Sequence, residues 1–150
     1  MRRFYFKLHA VEEVRKRKEE DALRALAAAQ RALQQEKTRK ENLFQALKDS
    51  YSRCNEIAKS TVGVVAFKTE EDFIVGTRQR IAMTEQTILR AEKALKKRMD
   101  QYMEAKSERK KIEKLREREY ERYQKKESKK ELKQMDELYV QRARFSKRVA

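Results

Sequence analysis

Thr61-Val62-Gly63-Val64-Val65-Ala66-Phe67 is the stretch that decides the fold. It is rich in β-branched residues and holds one of only two glycines in a 150-residue chain that has no proline. Nothing on either side of it sterically interrupts a helix. One break near the middle therefore predicts two long helices folded back on each other. The turn is placed at about 61–69. Thr69 then caps the second helix, with Glu70, Glu71 and Asp72 in a first turn where the helix dipole favours acids. The expected fold is all-α: a long antiparallel two-helix coiled-coil hairpin, one domain over 1–150. Helix one runs from about 4 to 60 and helix two from about 70 to 142, followed by a flexible C-terminal tail. The second helix is the longer and projects at its C-terminal end.

Downstream of the break the repeat is clean. Ile74, Ile81, Ile88, Leu95 and Tyr102 fall at seven-residue intervals, with Thr77, Thr84, Ala91, Arg98 and Ala105 in the complementary positions. Such a repeat means left-handed coiled-coil packing. After Ala105 the apolar seam weakens, and after about Ser128 it gives out. Upstream, Leu8, Val11, Ala22, Ala25, Ala29 and Ala32 alternate by threes and fours, interrupted by Arg15 and Lys18. Leu23, Leu26 and Leu33 broaden that face. With the turn near residue 65, facing positions sum to about 130, which sets Tyr51 opposite Gln79–Ile81.

Composition narrows the function. Charged residues make up 43% of the chain and there is no Trp, a balance typical of long helices rather than of a multilayer core. The single cysteine, Cys54, permits no internal disulfide and fits a reducing cytosol. No apolar run has the length of a membrane span or of a signal peptide, so the expected setting is cytoplasmic. One histidine, His9, cannot build a His-based metal cluster, and no role is assigned to it. Glycine-rich phosphate loops, Ser/His/Asp sets and CxxC pairs are missing. The chain reads as non-enzymatic, with no cofactor, no metal and no small-molecule ligand.

Charge is unevenly spread. Residues 1–40 carry a net +6, residues 41–105 a net +1 and residues 106–150 a net +8. In a hairpin both termini share one end, so that end is strongly basic and the turn end nearly neutral. A cationic run such as Lys106–Lys133 suits a solvated helix face, an acidic protein surface or nucleic-acid phosphates. Tyr120 and Tyr123 either stack on bases or continue the seam. The near-neutral end is crowded with apolar residues: Phe44, Leu47, Tyr51, Val62, Val64, Val65, Phe67, Phe73, Ile74 and Val75. A two-helix hairpin has one seam and cannot bury them all, so some must face solvent or a partner.

Two stretches carry a family resemblance. The opening Phe4-x-Phe6-x-Leu8-x-x-Val11 with Arg15, followed by LRALAAAQRAL at 23–33, is one. Tyr102-Met103-Glu104-Ala105, Arg109-Lys110-Lys111-Ile112-Glu113-Lys114-Leu115 and Met135-Asp136-Glu137-Leu138 are the other. Together they resemble the FliJ family of the bacterial flagellar type III export apparatus over almost the whole chain. Glu12, where the family often has Leu, departs from the pattern and weakens the N-terminal seam. The resemblance implies a coiled coil similar to the central stalk of rotary ATPases. Its terminal end would bind the FliI-type export ATPase hexamer and help the ring assemble, which points to Phe6, Leu8, Val11, Arg15, Arg118 and Arg122. Its middle would touch the cytoplasmic domain of the export gate protein FlhA, which by position points to Phe44, Leu47, Tyr51, Phe73, Thr77 and Arg80. Export chaperones are the third implied partner. The protein would be cytoplasmic, held at the inner-membrane gate through partners only. The competing reading is a basic coiled coil that binds nucleic acid or acts as a structural spacer.

Overall fold

The computed structural model describes residues 3–61 and 63–149, with side chains through Phe145. The chain is an all-α hairpin of two long helices packed against each other. Helix α1 spans His9–Lys59 (51 residues) and α2 spans Val64–Val149 (86 residues). No strand occurs among the described residues.

The helix bounds differ from those expected, each for a local reason. Helix α1 starts at His9, not near 4. Phe4–Phe6 stays non-helical, with the Phe4 ring against Tyr120 and Tyr123 at centroid distances of 5.2 and 5.5 Å and with Phe6 buried. The backbone N–H groups of His9 and Glu12 then donate to the Phe6 and Leu8 carbonyls and start the helix. The connection is shorter than expected. Helix α1 stops at Lys59, where Ser60 donates from both its backbone N–H and its hydroxyl to the Ile57 carbonyl. Helix α2 begins at Val64, six residues before the expected 70, and the Ala66 N–H already bonds to the Gly63 carbonyl. Thr69 is therefore not a cap: its hydroxyl donates to the Val65 carbonyl within the helix. At the other end α2 continues past 142 to Val149. Val62, counted among the apolar turn residues, lies outside the described ones.

Two compact units share these helices: Glu20–Glu104, here the turn unit, and Met1–Glu19 with Ala105–Ala150, here the terminal unit. In the turn unit the buried apolar residues are Leu26 and Leu33 on α1 and Ile74 and Ile81 on α2. Each such side chain contributes about 1.5–3 kcal/mol by leaving water. Thr77, Thr84 and Ser50 are buried with them. The Thr84 hydroxyl is satisfied by the Arg80 carbonyl at 2.8 Å, and Ser50 donates to the Glu70 carboxylate. The α2 seam thus follows its seven-residue repeat.

The α1 seam follows the expected one in part. Leu26 and Leu33 are buried and Ala22, Ala25 and Ala29 half-buried, but Leu8, Val11, Leu23 and Ala32 are exposed. One row runs through Glu12, Glu19, Leu26, Leu33, Lys40, Leu47 and Cys54, again seven apart, and a second through Ala22, Ala29, Glu36, Leu43, Ser50 and Ile57, all buried or half-buried. Helix register shifts accordingly. Tyr51 meets Arg78, rather than Gln79–Ile81, and Lys40 meets Glu85 at 2.7 Å. This is what an earlier start of α2 requires.

In the terminal unit the same repeat persists with different chemistry. Seven residues beyond Tyr102 stands Arg109, then Arg116, then Tyr123. Arg109 pairs with Glu19, and Arg116 Nη1 donates to Glu12 Oε1 at 3.1 Å. Arg15 pairs with Glu108 at 3.6 Å. The apolar seam weakens after Ala105 as expected, with no buried residue among the described ones beyond it on α2, and ion pairs stand at some of its positions.

Candidate functional site

On α1 of the turn unit, Phe44, Leu47 and Tyr51 lie three and four residues apart and share one face. Phe44 is 47% exposed and Tyr51 39%, while Leu47 is half-buried because it also touches the seam. Beside them runs a shallow groove of about 610 Å3, edged by Glu41, Gln45, Lys48 and Asn55. Two cations from the flanks hold the rings. Lys40 Nζ stands 5.6 Å from the Phe44 ring centre while ion-paired to Glu85. Arg78 stands 5.8 Å from the Tyr51 ring centre and donates to its hydroxyl. Cations over ring faces at this range are attractive.

The expected α2 partners of this face divide. Phe73 and Arg80 are exposed, but Thr77 is only 2% exposed. Thr77 occupies a seam position between Ile74 and Ile81 and is not part of any outer surface. Nearer the turn, Val64, Val65, Phe67 and Val75 are exposed and Ile74 is buried. The excess of apolar residues over seam positions therefore does reach the surface.

A polar clasp lies close by. Arg53 donates to both oxygens of Glu70, at 2.8 and 3.2 Å, and Ser50 donates to the same carboxylate. The Arg53 hydrogen bond, helped by Ser50, holds Glu70 below the ordinary carboxylate range, and Glu70 in turn raises Arg53.

In the terminal unit the expected basic-end residues separate as well. Phe6 is buried, so it is core rather than contact surface. Leu8, Val11, Arg118 and Arg122 are exposed, and Arg15 is half-buried against Glu108. The unit carries 24 Lys+Arg and 12 Asp+Glu, a net +12, against 16 and 13, a net +3, in the turn unit.

Glu12 is the residue whose placement the sequence reading missed. It is 3% exposed and gathers Arg116, Lys16 at 3.9 Å and His9 at 3.5 Å. Burial pushes its carboxyl up. The hydrogen bond and charge of Arg116, then Lys16 and His9, outweigh that and leave it below the ordinary range. His9 thereby gains a role as a neighbour of a buried acid. The signal was present in the seven-residue spacing Glu12, Glu19, Leu26, Leu33.

Among the described residues no group of three His, Cys, Asp or Glu side chains could hold a metal ion, and no helix is long and apolar enough to cross a membrane. A family model, Flagellar FliJ protein, matches residues 4–148. The chain belongs to the FliJ family. As a family member it is a non-catalytic component of the flagellar export apparatus. No curated protein and no solved structure gives a match.

Proposed function

We propose that this FliJ-family protein links the export ATPase to the export gate. The terminal unit, with its net +12, engages the FliI-type hexamer and promotes ring assembly, as a rotary-ATPase stalk engages its ring. The Phe44–Leu47–Tyr51 face, with Phe73 and Arg80, engages the cytoplasmic domain of FlhA and receives export chaperones. In this reading the protein works in the cytoplasm and reaches the membrane only through the gate.

The exposed aromatic face in the near-neutral unit is the observation that carries this reading. Aromatic side chains left in water at helical spacing are the usual substance of a binding hot spot, and the unit around them carries only a net +3. Arg118 and Arg122 in the other unit suit an acidic protein surface.

The test is binding of wild type and of Phe44→Ala/Tyr51→Ala to the ATPase and to the FlhA cytoplasmic domain. The account expects the double variant to lose FlhA and keep the ATPase. Wild type that binds neither overturns it.

A further inference from the structure

The terminal unit holds a second concave feature. Arg3, Phe4, Tyr5, Phe6, His9 and Arg116 enclose a groove of about 450 Å3, within the range of small-ligand sites. Three of these residues are aromatic and three are nitrogen donors. No acid lines the groove. Glu12 stands beside it and fixes two of the three donors. Its Oε1 accepts from Arg116 Nη1, and its Oε2 lies 3.5 Å from His9 Nδ1. A guanidinium carries five N–H donors, and this bond uses one of them. The Glu12 Oε2 atom is buried and has no hydrogen-bond partner. The His9 ring carries a second nitrogen, Nε2, besides the Nδ1 that faces Glu12.

We propose that this groove binds a carboxylate, presented by an acidic side chain of a partner protein with apolar residues beside it. Arg3, His9 and Arg116 take the carboxylate, and Phe4 and Tyr5 hold the apolar neighbours. The inference rests on the reading that the terminal unit docks on a protein, and it names the chemistry of that contact. The unit's net +12 draws acids to it. Nucleic-acid phosphate would be drawn by the same charge but would use ring faces for base stacking. A phosphodiester backbone would also carry its charges past the 12 Asp and Glu residues of the same unit, whereas a single carboxylate meets the groove alone, which favours the protein carboxylate.

His9 is the single histidine, so its ring-proton resonance reports on this groove alone. The probe is the capped peptide acetyl-Leu-Glu-Leu-amide, with acetyl-Leu-Gln-Leu-amide as its neutral twin, titrated into the full chain at constant ionic strength. The glutamate peptide should shift the resonance saturably and bind about tenfold more tightly than the glutamine one, the difference a charge-assisted contact makes. Arg116→Gln should abolish that preference. It also disturbs the Glu12 pair, so Arg3→Gln is the second variant, and it should weaken the glutamate peptide severalfold. Equal shifts from both peptides, or the same shift from sodium chloride, overturn the proposal. So does an oligothymidylate that moves the resonance when the glutamate peptide does not. Binding of the ATPase is scored separately. A filled groove without ATPase binding removes the assigned partner, whereas ATPase binding with an indifferent groove removes the carboxylate site.

Discussion

The turn unit and the terminal unit use one geometric repeat and two chemistries. In the first, Leu26 and Leu33 face a row headed by Ile74 and Ile81, and the attraction is loss of apolar surface from water. In the second, the equivalent positions hold Glu12 and Glu19 against Arg116 and Arg109. Such partly exposed pairs are weak as a source of stability, because solvent screens the exposed partner and desolvation of the buried one offsets much of the attraction. Polar groups at seam positions are better at fixing which residues face each other. The apolar unit is thus built to stay closed. The ionised unit is built to pair in one register, at a stability that depends on protonation and salt.

That difference can be broken from either side. The largest expected effect is Ile81→Ala in the apolar seam. It should cost about 2–4 kcal/mol in thermal or denaturant unfolding, and the loss should be the same in low and high salt. Glu12→Gln in the ionised seam should cost less, about 1–2 kcal/mol. It should lower hydrogen-exchange protection around Arg109–Arg116 and leave Ile74–Leu95 unchanged. Smaller still is the response of wild type to salt. Raising ionic strength from about 0.1 to 1 M shortens the screening length from roughly 10 to 3 Å. That should reduce protection in the terminal unit by a few-fold and leave the centre of the turn unit unaltered. The smallest stability effect belongs to Phe44→Ala/Tyr51→Ala, within about 0.5 kcal/mol by circular dichroism melting. A larger loss would mean that the rings support the fold rather than a partner.

The hairpin was legible because proline is missing and one β-branched, glycine-containing stretch interrupts an otherwise helical pattern. The α2 seam was legible because isoleucines marked it every seven residues. The α1 seam was legible only in part: hydrophobicity marked Leu26, Leu33 and three of the alanines rightly, but it also pointed to the exposed Leu8 and Val11 and passed over Glu12, Glu19 and Lys40. An ion pair between residues 104 apart in sequence, one on each helix, leaves no apolar mark in either helix. The position of the turn was missed for a related reason. Val64, Val65 and Phe67 looked like a loop by propensity, yet they form the exposed first turns of α2. Propensity is a weak prior against packing further along a helix. The exposed aromatic face was legible in α1, where a count of apolar residues exceeded the seam. Thr77 was drawn into it by position from the family resemblance, although the seven-residue repeat had already set it in the seam.

Acid gives the most direct test of the two-chemistry account. Glu12 and Glu108 in the terminal unit are held below the ordinary carboxylate range, Glu12 by Arg116 against the opposing effect of burial and Glu108 chiefly by Lys111 with Arg15. A carboxylate with a depressed folded-state pKa stabilises the fold above its unfolded value, and that contribution disappears as pH falls through the folded one. Residue-resolved hydrogen exchange should therefore be followed from neutral pH down to below about pH 4. Protection across Arg109–Arg116 should fall on acidification while that across Leu26–Leu33 and Ile81–Leu95 persists. Loss of protection across Arg109–Arg116, Leu26–Leu33 and Ile81–Leu95 together, at one pH, would contradict the account; loss around Ser50–Arg53 would not, because Arg53 and Ser50 hold Glu70 low there too.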